Sequence, residues 1–328
     1  MWYNISQFIF YLNYGGYFMK KNLVFLFLSF TTFLFAFTHT QEINGVVYNF
    51  NFNKTPSRAV SMSQFTTEVM LKLGLQKNMV GTAFLEEEIY PSVASDYKKV
   101  PVLADKWPSL EELLNVDPDF VTGWEVAFKK GVDSKMIVKN NINMFIPKSS
   151  IDFNANLDTL FDDFLIFGKI FNKEKEVQDY INSEKARVEN IKKNTIGKQE
   201  FTYFIYDSGT DKAFTVFEGF TPNLLKLING KNILSGKGVN KTWGETNWEE
   251  VIAADPDYFI IIDYSVGIRE ETDSESKIKA IKANPKLNGL KAVKNDKFIK
   301  VKLADIVPGI RNVDFFEKIA KEVYQVNE

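Results

Sequence analysis

The sequence is 328 residues long, 45% hydrophobic and 25% charged, which fits a folded globular chain of two lobes and excludes a disordered or collagen-like one. A net charge of -2 leaves no basic surface for a phosphate backbone, so nucleic acid is excluded as a partner. The absence of cysteine removes disulfides, thiolate metal sites, iron–sulfur clusters, thiol nucleophiles and lipid attachment through a cysteine.

At the N-terminus, Met19-Lys20-Lys21 precedes an apolar run over 23–37, and the polar Thr38-His39-Thr40-Gln41-Glu42 follows. A basic start, a short apolar stretch and a polar exit form the layout of a secretory signal. The run is shorter than the roughly 20 residues that a membrane-spanning helix needs. Residues 1–40 are therefore expected to be a signal peptide with an over-extended start, Met19 being the initiator. The mature chain would then lose His39, the single histidine, and carry no membrane span. The expected location is the periplasm, as a soluble protein that is not a lipoprotein.

From residue 43 onward, short β-rich runs alternate with amphipathic stretches, the pattern of βα units and parallel sheets. Strands are expected at 58–61, 79–83, 120–124 and 143–146. Helices are expected at 63–73, capped by Ser63 and stopped by Gly74, and at 109–115, where Ser109 and Glu112 have capping-box spacing. Residues 173–194 contain no Gly or Pro and carry Val177, Ile181, Val188 and Ile191 at helical intervals among charges. This long helix is expected to connect an N-terminal lobe, 43–172, to a C-terminal lobe, 199–328. In the second lobe strands are expected at 202–206, 214–217, 258–262 and 298–301, and helices at 223–228, 248–253 and 313–326.

The two lobes repeat one another. Ser109-Leu110-Glu111-Glu112 runs on to Asp117-Pro118-Asp119 and an apolar strand, and Asn247-Trp248-Glu249-Glu250 runs on to Asp255-Pro256-Asp257 and another. In both copies the proline ends an acidic-capped helix. Each strand then reaches a polar and aromatic tip, Gly123-Trp124-Glu125 or Asp263-Tyr264-Ser265. The fold class is α/β: two Rossmann-like βα lobes with mainly parallel sheets, joined by one long connecting α-helix.

Further pieces stand in a telling order: Arg58-Ala59-Val60-Ser61, Thr67-Glu68-Val69-Met70, Met79-Val80-Gly81, Val100-Pro101-Val102-Leu103, Asn284-Pro285-Lys286-Leu287 and Pro308-Gly309-Ile310-Arg311. On these pieces and both helix–Pro-Asp copies, the chain resembles the substrate-binding proteins of ABC importers for iron–siderophores, haem and cobalamin. The resemblance implies a monomeric, non-enzymatic receptor that captures a bulky metal chelate and delivers it to a permease with its ATPase subunits. It also implies that Glu111 and Glu249, each seven residues before the proline of its own Pro-Asp, dock onto permease arginines. Two fixed carboxylates on one face would give a two-point electrostatic register. A stiff connecting helix implies only small closure on binding.

Ligands of α/β lobes bind outside the carboxyl ends of the strands. That places Ser63, Phe65, Phe84, Trp107 and Trp124 of the first lobe at the cleft, beside Gln64, Leu85 and Glu125. The second lobe contributes Trp243, Tyr264 and Arg311, beside Asp207, Ser208, Phe220 and Asp263. Flat aromatic faces with a few polar tips suit a bulky guest, with core packing as the alternative for each ring. The planar fork of Arg311 suits a carboxylate or the anionic shell of a catecholate or hydroxamate complex, or else an ion pair with Asp305 or Asp314. A chain without His or Cys offers little to a naked transition metal, so no resident cofactor or metal is expected. A ferric siderophore is the leading guest; haem through Tyr90 or Tyr264, and cobalamin, are the alternatives. The expected mature chain carries no triad base, and the sequence has no Gly-x-Gly-x-x-Gly turn or P-loop, so catalysis is not expected. The reading from another class is an interaction module without a small ligand.

Overall fold

The computed structural model describes residues 36–264 and 273–325, which lie within one compact unit. It opens with an antiparallel hairpin, β1 (Phe37–Ile43) against β2 (Val46–Phe52). Asn44 and Gly45 close it with φ of 52° and 76°, the positive-φ pair that a two-residue hairpin turn demands. Gln41 binds the hairpin to the first lobe through both backbone groups of Ile146. The His39 ring stands edge-on to Phe145 at 5.2 Å. The fold thus begins upstream of the boundary at residue 40, and the imidazole belongs to it.

The first lobe is built in βα order. Its elements are β3 (Ala59–Ser61), α1 (Gln64–Lys72), β4 (Met79–Ala83), α2 (Ala94–Tyr97), β5 (Val102–Ala104), α3 (Leu110–Asn115), β6 (Phe120–Thr122), α4 (Ser134–Lys139), β7 (Asn143–Phe145) and α5 (Leu157–Phe171). The five strands pair in parallel in the order β5-β4-β3-β6-β7. Every residue of β3 and β6 is buried, as helices on both faces of a parallel sheet require. Helix α5 turns Leu160, Phe161, Phe164, Phe167, Ile170 and Phe171 into the core and ends on Asn172 at φ 53°.

Helix α6 (Glu174–Thr195) is the 22-residue connector, and it buries Val177, Ile181, Val188 and Ile191. Beyond it come β8 (Phe201–Tyr206), β9 (Lys212–Val216), α7 (Phe220–Leu225), β10 (Gly230–Asn232), β11 (Trp243–Asn247), α8 (Trp248–Ala254) and β12 (Tyr258–Asp263). The last elements are α9 (Ser274–Ala283), α10 (Lys291–Lys294), β13 (Phe298–Lys302), α11 (Leu303–Ile306) and α12 (Asn312–Tyr324). A second parallel sheet has the order β10-β8-β12-β13, and β9 and β11 form a separate antiparallel pair. The chain is therefore an α/β protein with two parallel sheets and a long helix between them. The expected tip residue Ser265 and residues 326–328 lie outside the described residues.

The internal repeat has a structural cause. Asp117 and Asp255 end their helices at φ of 42° and 43°. The second aspartate of each Asp-Pro-Asp then ties its strand to the neighbour: Asp119 accepts from the backbone of Ser57 and Arg58 at 2.9 Å, and Asp257 accepts from Thr202 N at 2.8 Å. One apolar cluster runs from Phe120 and Phe167 through Val188 and Ile191 to Tyr203, Ile260 and Phe316. A second, with Phe204, Trp248, Phe259 and Ile281, covers the other face of the second sheet. Among the described residues no helix is long and apolar enough to cross a membrane.

Candidate ligand cleft

Each parallel sheet reverses its winding once. In the first, the chain moves outward from β3 to β4 and β5, then returns to β6 on the other side; in the second, β8 and β12 flank the same kind of reversal. Such switch points open a crevice at the carboxyl ends of the strands. At the first, β6 ends at Thr122, two residues short of the expected 124. A Cβ at Gly123 would come 3.1 Å from Met62 Cβ, so the exits of β3 and β6 press together and Trp124 emerges beyond them. At the second, Tyr264 Oη donates to Asp207 Oδ1 and Ser208 Oγ donates to Asp207 Oδ2 at 2.8 Å.

Between the switch points lies a cavity of about 330 Å³, towards the small end of the roughly 300–1,000 Å³ common for small-molecule sites. The first lobe lines it with Trp124, Glu125, Val126, Ser149 and Ser150, and the second with Asp207, Phe214, Val216, Phe220, Thr221, Thr242, Trp243, Tyr264, Leu303, Ile306, Val307 and Pro308. Phe214 and Trp243 stack at 5.8 Å across the β9–β11 pair. Ser149 sits in a 3-10 turn, Lys148–Ser150, whose first two N–H groups donate to the Asp163 carboxyl at 2.8 Å. Burial pushes Asp163 up to about 6.

Of the expected ligand residues, Trp124, Trp243 and Tyr264 line this cavity. Phe65 lies behind the cavity wall, 5.4 Å from the Trp124 ring. Ser63 is buried at the start of α1, bonded to Thr66 at 2.7 Å. Phe84 and Trp107 stack on one another at 4.6 Å outside the lining. None of these four lines the cavity. Of the two candidate haem tyrosines, Tyr264 lines the cavity, whereas Tyr90 donates to Asp314 away from it. Burial pushes the Tyr90 phenol up to about 12. The sequence missed Phe214, Val216, Thr242, Leu303, Ile306, Val307 and Pro308, because a nonlocal strand pair and a helix end bring them in. Among the described residues no group of three or more His, Asp or Glu is placed to hold a metal ion.

The family model described as periplasmic binding protein matches residues 60–303. The chain belongs to that family. A periplasmic binding protein from Veillonella parvula dsm 2008 is 42% identical, and its crystal structure covers 89% of this chain and 99% of its own at a TM-score of 0.86. The petrobactin-binding protein YclQ of Bacillus subtilis (strain 168) is 22% identical over 248 residues, 74% of this chain and 73% of its own. An uncharacterized ABC transporter substrate-binding lipoprotein of the same organism, YvrC, is 24% identical over 277 residues, 83% of this chain and 81% of its own. That relative corrects the expectation that the chain is not a lipoprotein. The lack of cysteine was too narrow a basis for assigning a freely diffusing form. As a periplasmic binding protein, the chain is a substrate-binding component of an ABC transporter, and the family's role is transport rather than catalysis.

In this periplasmic binding protein Arg311 takes the second of its two expected roles, an ion pair, with Glu68 and Glu87 as its nearer partners. It is only 6% exposed and lies outside the cavity lining. Its Nε donates to Glu68 Oε2 at 2.9 Å, Nη2 to Glu68 Oε1 and to the Glu88 carbonyl, and Nη1 to Glu87 Oε1 at 3.4 Å. The guanidinium cross-links the start of α12 to α1 and to the loop after β4. Asp305 stands farther off at 4.0 Å, and Asp314 pairs with Arg187. Glu87 also accepts from Ala304 N at 2.8 Å. Burial pushes Glu87 up to about 7 despite the opposing pull of Arg311.

The two expected docking glutamates occupy matching places. Glu111 is exposed in the first turn of α3 and Glu249 in the first turn of α8. Ser109 and Glu112 cap α3 reciprocally, leaving Glu111 outside the box. Lys286 Nζ lies 3.5 Å from Glu249 at the surface, an exposed pair that a basic partner can displace.

Proposed function

We propose that this chain is the receptor of an ABC importer for a metal chelate of the iron–siderophore, haem or corrinoid kind, with a ferric siderophore as the leading guest. The guest sits between the lobes, 43–172 and 199–328, against Trp124, Trp243 and Tyr264. The observation that carries the reading is the coincidence of both switch points on one aromatic cavity. Ring faces supply contact area to a macrocyclic or multi-ring guest at little entropic cost. The petrobactin-binding relative supports the same class of guest. Glu111 and Glu249 present the loaded receptor to the permease.

Tryptophan emission tests this directly, since two of the five tryptophans line the cavity. Ferric siderophores, haem or corrinoids should change the emission, and a Trp124→Phe/Trp243→Phe double variant should lose most of the response. No response to any of the three classes, and no co-purifying chelate by native mass spectrometry, would refute the reading and favour an interaction module.

A further inference from the structure

The charge of the cavity is one-sided. Among the described residues that line it, Glu125 and Asp207 are charged and no Lys or Arg appears. Glu125 already faces Lys129 at 2.7 Å. Asp207 is 3% exposed, its oxygens accept the hydroxyls of Tyr264 and Ser208, and no described Lys or Arg stands within ion-pair range of it. Of the described cations nearby, Arg311 is engaged with Glu68 and Glu87 and Lys302 with Asp263 at 2.6 Å, while Lys277 donates to the Ile262 carbonyl at 2.7 Å and lies 4.6 Å from the ring centroid of Tyr264, the tyrosine whose hydroxyl donates to Asp207. A buried carboxylate without a counter-ion projects its field onto whatever fills the space before it. The faces of Trp124 and Trp243 add the negative side of their quadrupoles. The donors left over are neutral: Trp124 Nε1 and Ser149 Oγ are buried without a partner. They suit acceptor oxygens of an uncharged ligand shell.

We infer that the cleft selects against anionic chelates and takes a guest that is cationic or electroneutral, of ferric trihydroxamate or corrinoid type. This rests on the metal-chelate reading above and narrows it. Among the described residues, a ferric tris-catecholate or the dicarboxylate haem would meet Asp207 with no guanidinium to balance it, because Arg311 is committed to the lobe cross-link. Asp207 is the residue that sets the preference.

The test holds the chelate constant and changes its charge. Ferrioxamine B is cationic; its N-acetyl derivative is neutral and its N-succinyl derivative anionic, all on one trihydroxamate core. Each is titrated into the full-length protein by tryptophan fluorescence, alongside ferric enterobactin, haem and aquocobalamin. The expected order is cationic, then neutral, then anionic, with the last at least about tenfold weaker than the first. In Asp207→Asn the affinity ratio of the cationic to the neutral form should fall about tenfold, a readout that a general disturbance of the cleft would not move because it would weaken both forms alike. If that variant fails to fold, the ranking on the unaltered protein decides. Binding of aquocobalamin alone also supports the inference. Equal or tighter binding of an anionic probe overturns it, as does an unchanged cationic-to-neutral ratio in a folded Asp207→Asn. If no probe binds at all, the receptor reading itself falls and takes the inference with it.

Discussion

Replacing Arg311 by Met keeps an unbranched chain in place and removes only the guanidinium. Glu68 and Glu87, both 1% exposed, then face one another without their cation. Breaking a buried ion pair by deleting one partner costs about 3–5 kcal/mol, since the remaining charge stays desolvated. For a chain of this size each kcal/mol shifts Tm by about 2–4 °C, so a fall of roughly 6–20 °C at pH 8 is expected. The pH dependence gives the sharper test. Glu87 titrates at about 7 in the folded protein against 4.5 ordinarily. The folded state therefore holds a proton that the unfolded chain has released, and stability falls as pH rises between those values. Without Arg311 the carboxyl is pushed higher still, and the fall extends to more alkaline pH. The deficit of Arg311→Met should accordingly shrink as pH drops from 8 to 5, where a protonated Glu87 needs no counter-ion. Scanning calorimetry at both pH values, with guest titrations on the same samples, separates the alternatives. An Arg311→Met protein that melts like the parent at pH 8 but fails to bind would refute the cross-link and restore Arg311 to ligand recognition.

Tyr203 sits fully buried in β8 with its hydroxyl unpartnered. Tyr203→Phe should therefore raise stability by about 1 kcal/mol in chemical denaturation, and a loss of that size would show that the hydroxyl has a partner. Reversing both Glu111 and Glu249 to Arg should abolish transporter-dependent uptake while leaving guest affinity and Tm within error, because both side chains are exposed; undiminished uptake would remove the docking role.

What the sequence made legible was local. The strand over 79–83 and the connector came from periodicity and breakers alone, and the structure places them at Met79–Ala83 and Glu174–Thr195. The hairpin of β1 and β2 went unseen although Asn44-Gly45 is a strong turn signal, because its first strand abuts the apolar run and was read with it. Helix α5 escaped because four phenylalanines among fifteen residues, with leucines and isoleucines between them, blur the apolar stripe. The cleft divides the same way. Trp124 and Tyr264 follow directly from strand ends, so counting along the chain reaches them. Arg311 meets Glu68 across 243 residues, and no spacing rule shows which acid will claim a guanidinium.

That long-range pairing bears on how the receptor loads. Closure of two lobes needs a hinge free to bend, yet ties cross the boundary here on several levels. Arg311 joins α12 to Glu68, Ala304 N donates to Glu87 at 2.8 Å, and Tyr90 donates to Asp314. Asn223 Nδ2 reaches the Ala155 carbonyl at 2.9 Å, and Arg187 of α6 fastens Glu317 at 2.9 Å. Beneath them the apolar cluster continues from the first lobe through α6 into the second. A hinge rotation of tens of degrees would have to part buried charges and open that cluster, at a cost well beyond the few kcal/mol that ligand contacts usually spare for conformational work. The adjustment open to the protein is therefore side-chain movement around the cavity, by Trp124, Trp243 and their neighbours. Small-angle scattering should give the same radius of gyration with and without guest, within error. A clear contraction on loading would show that the ties yield, and that the connecting helix bends.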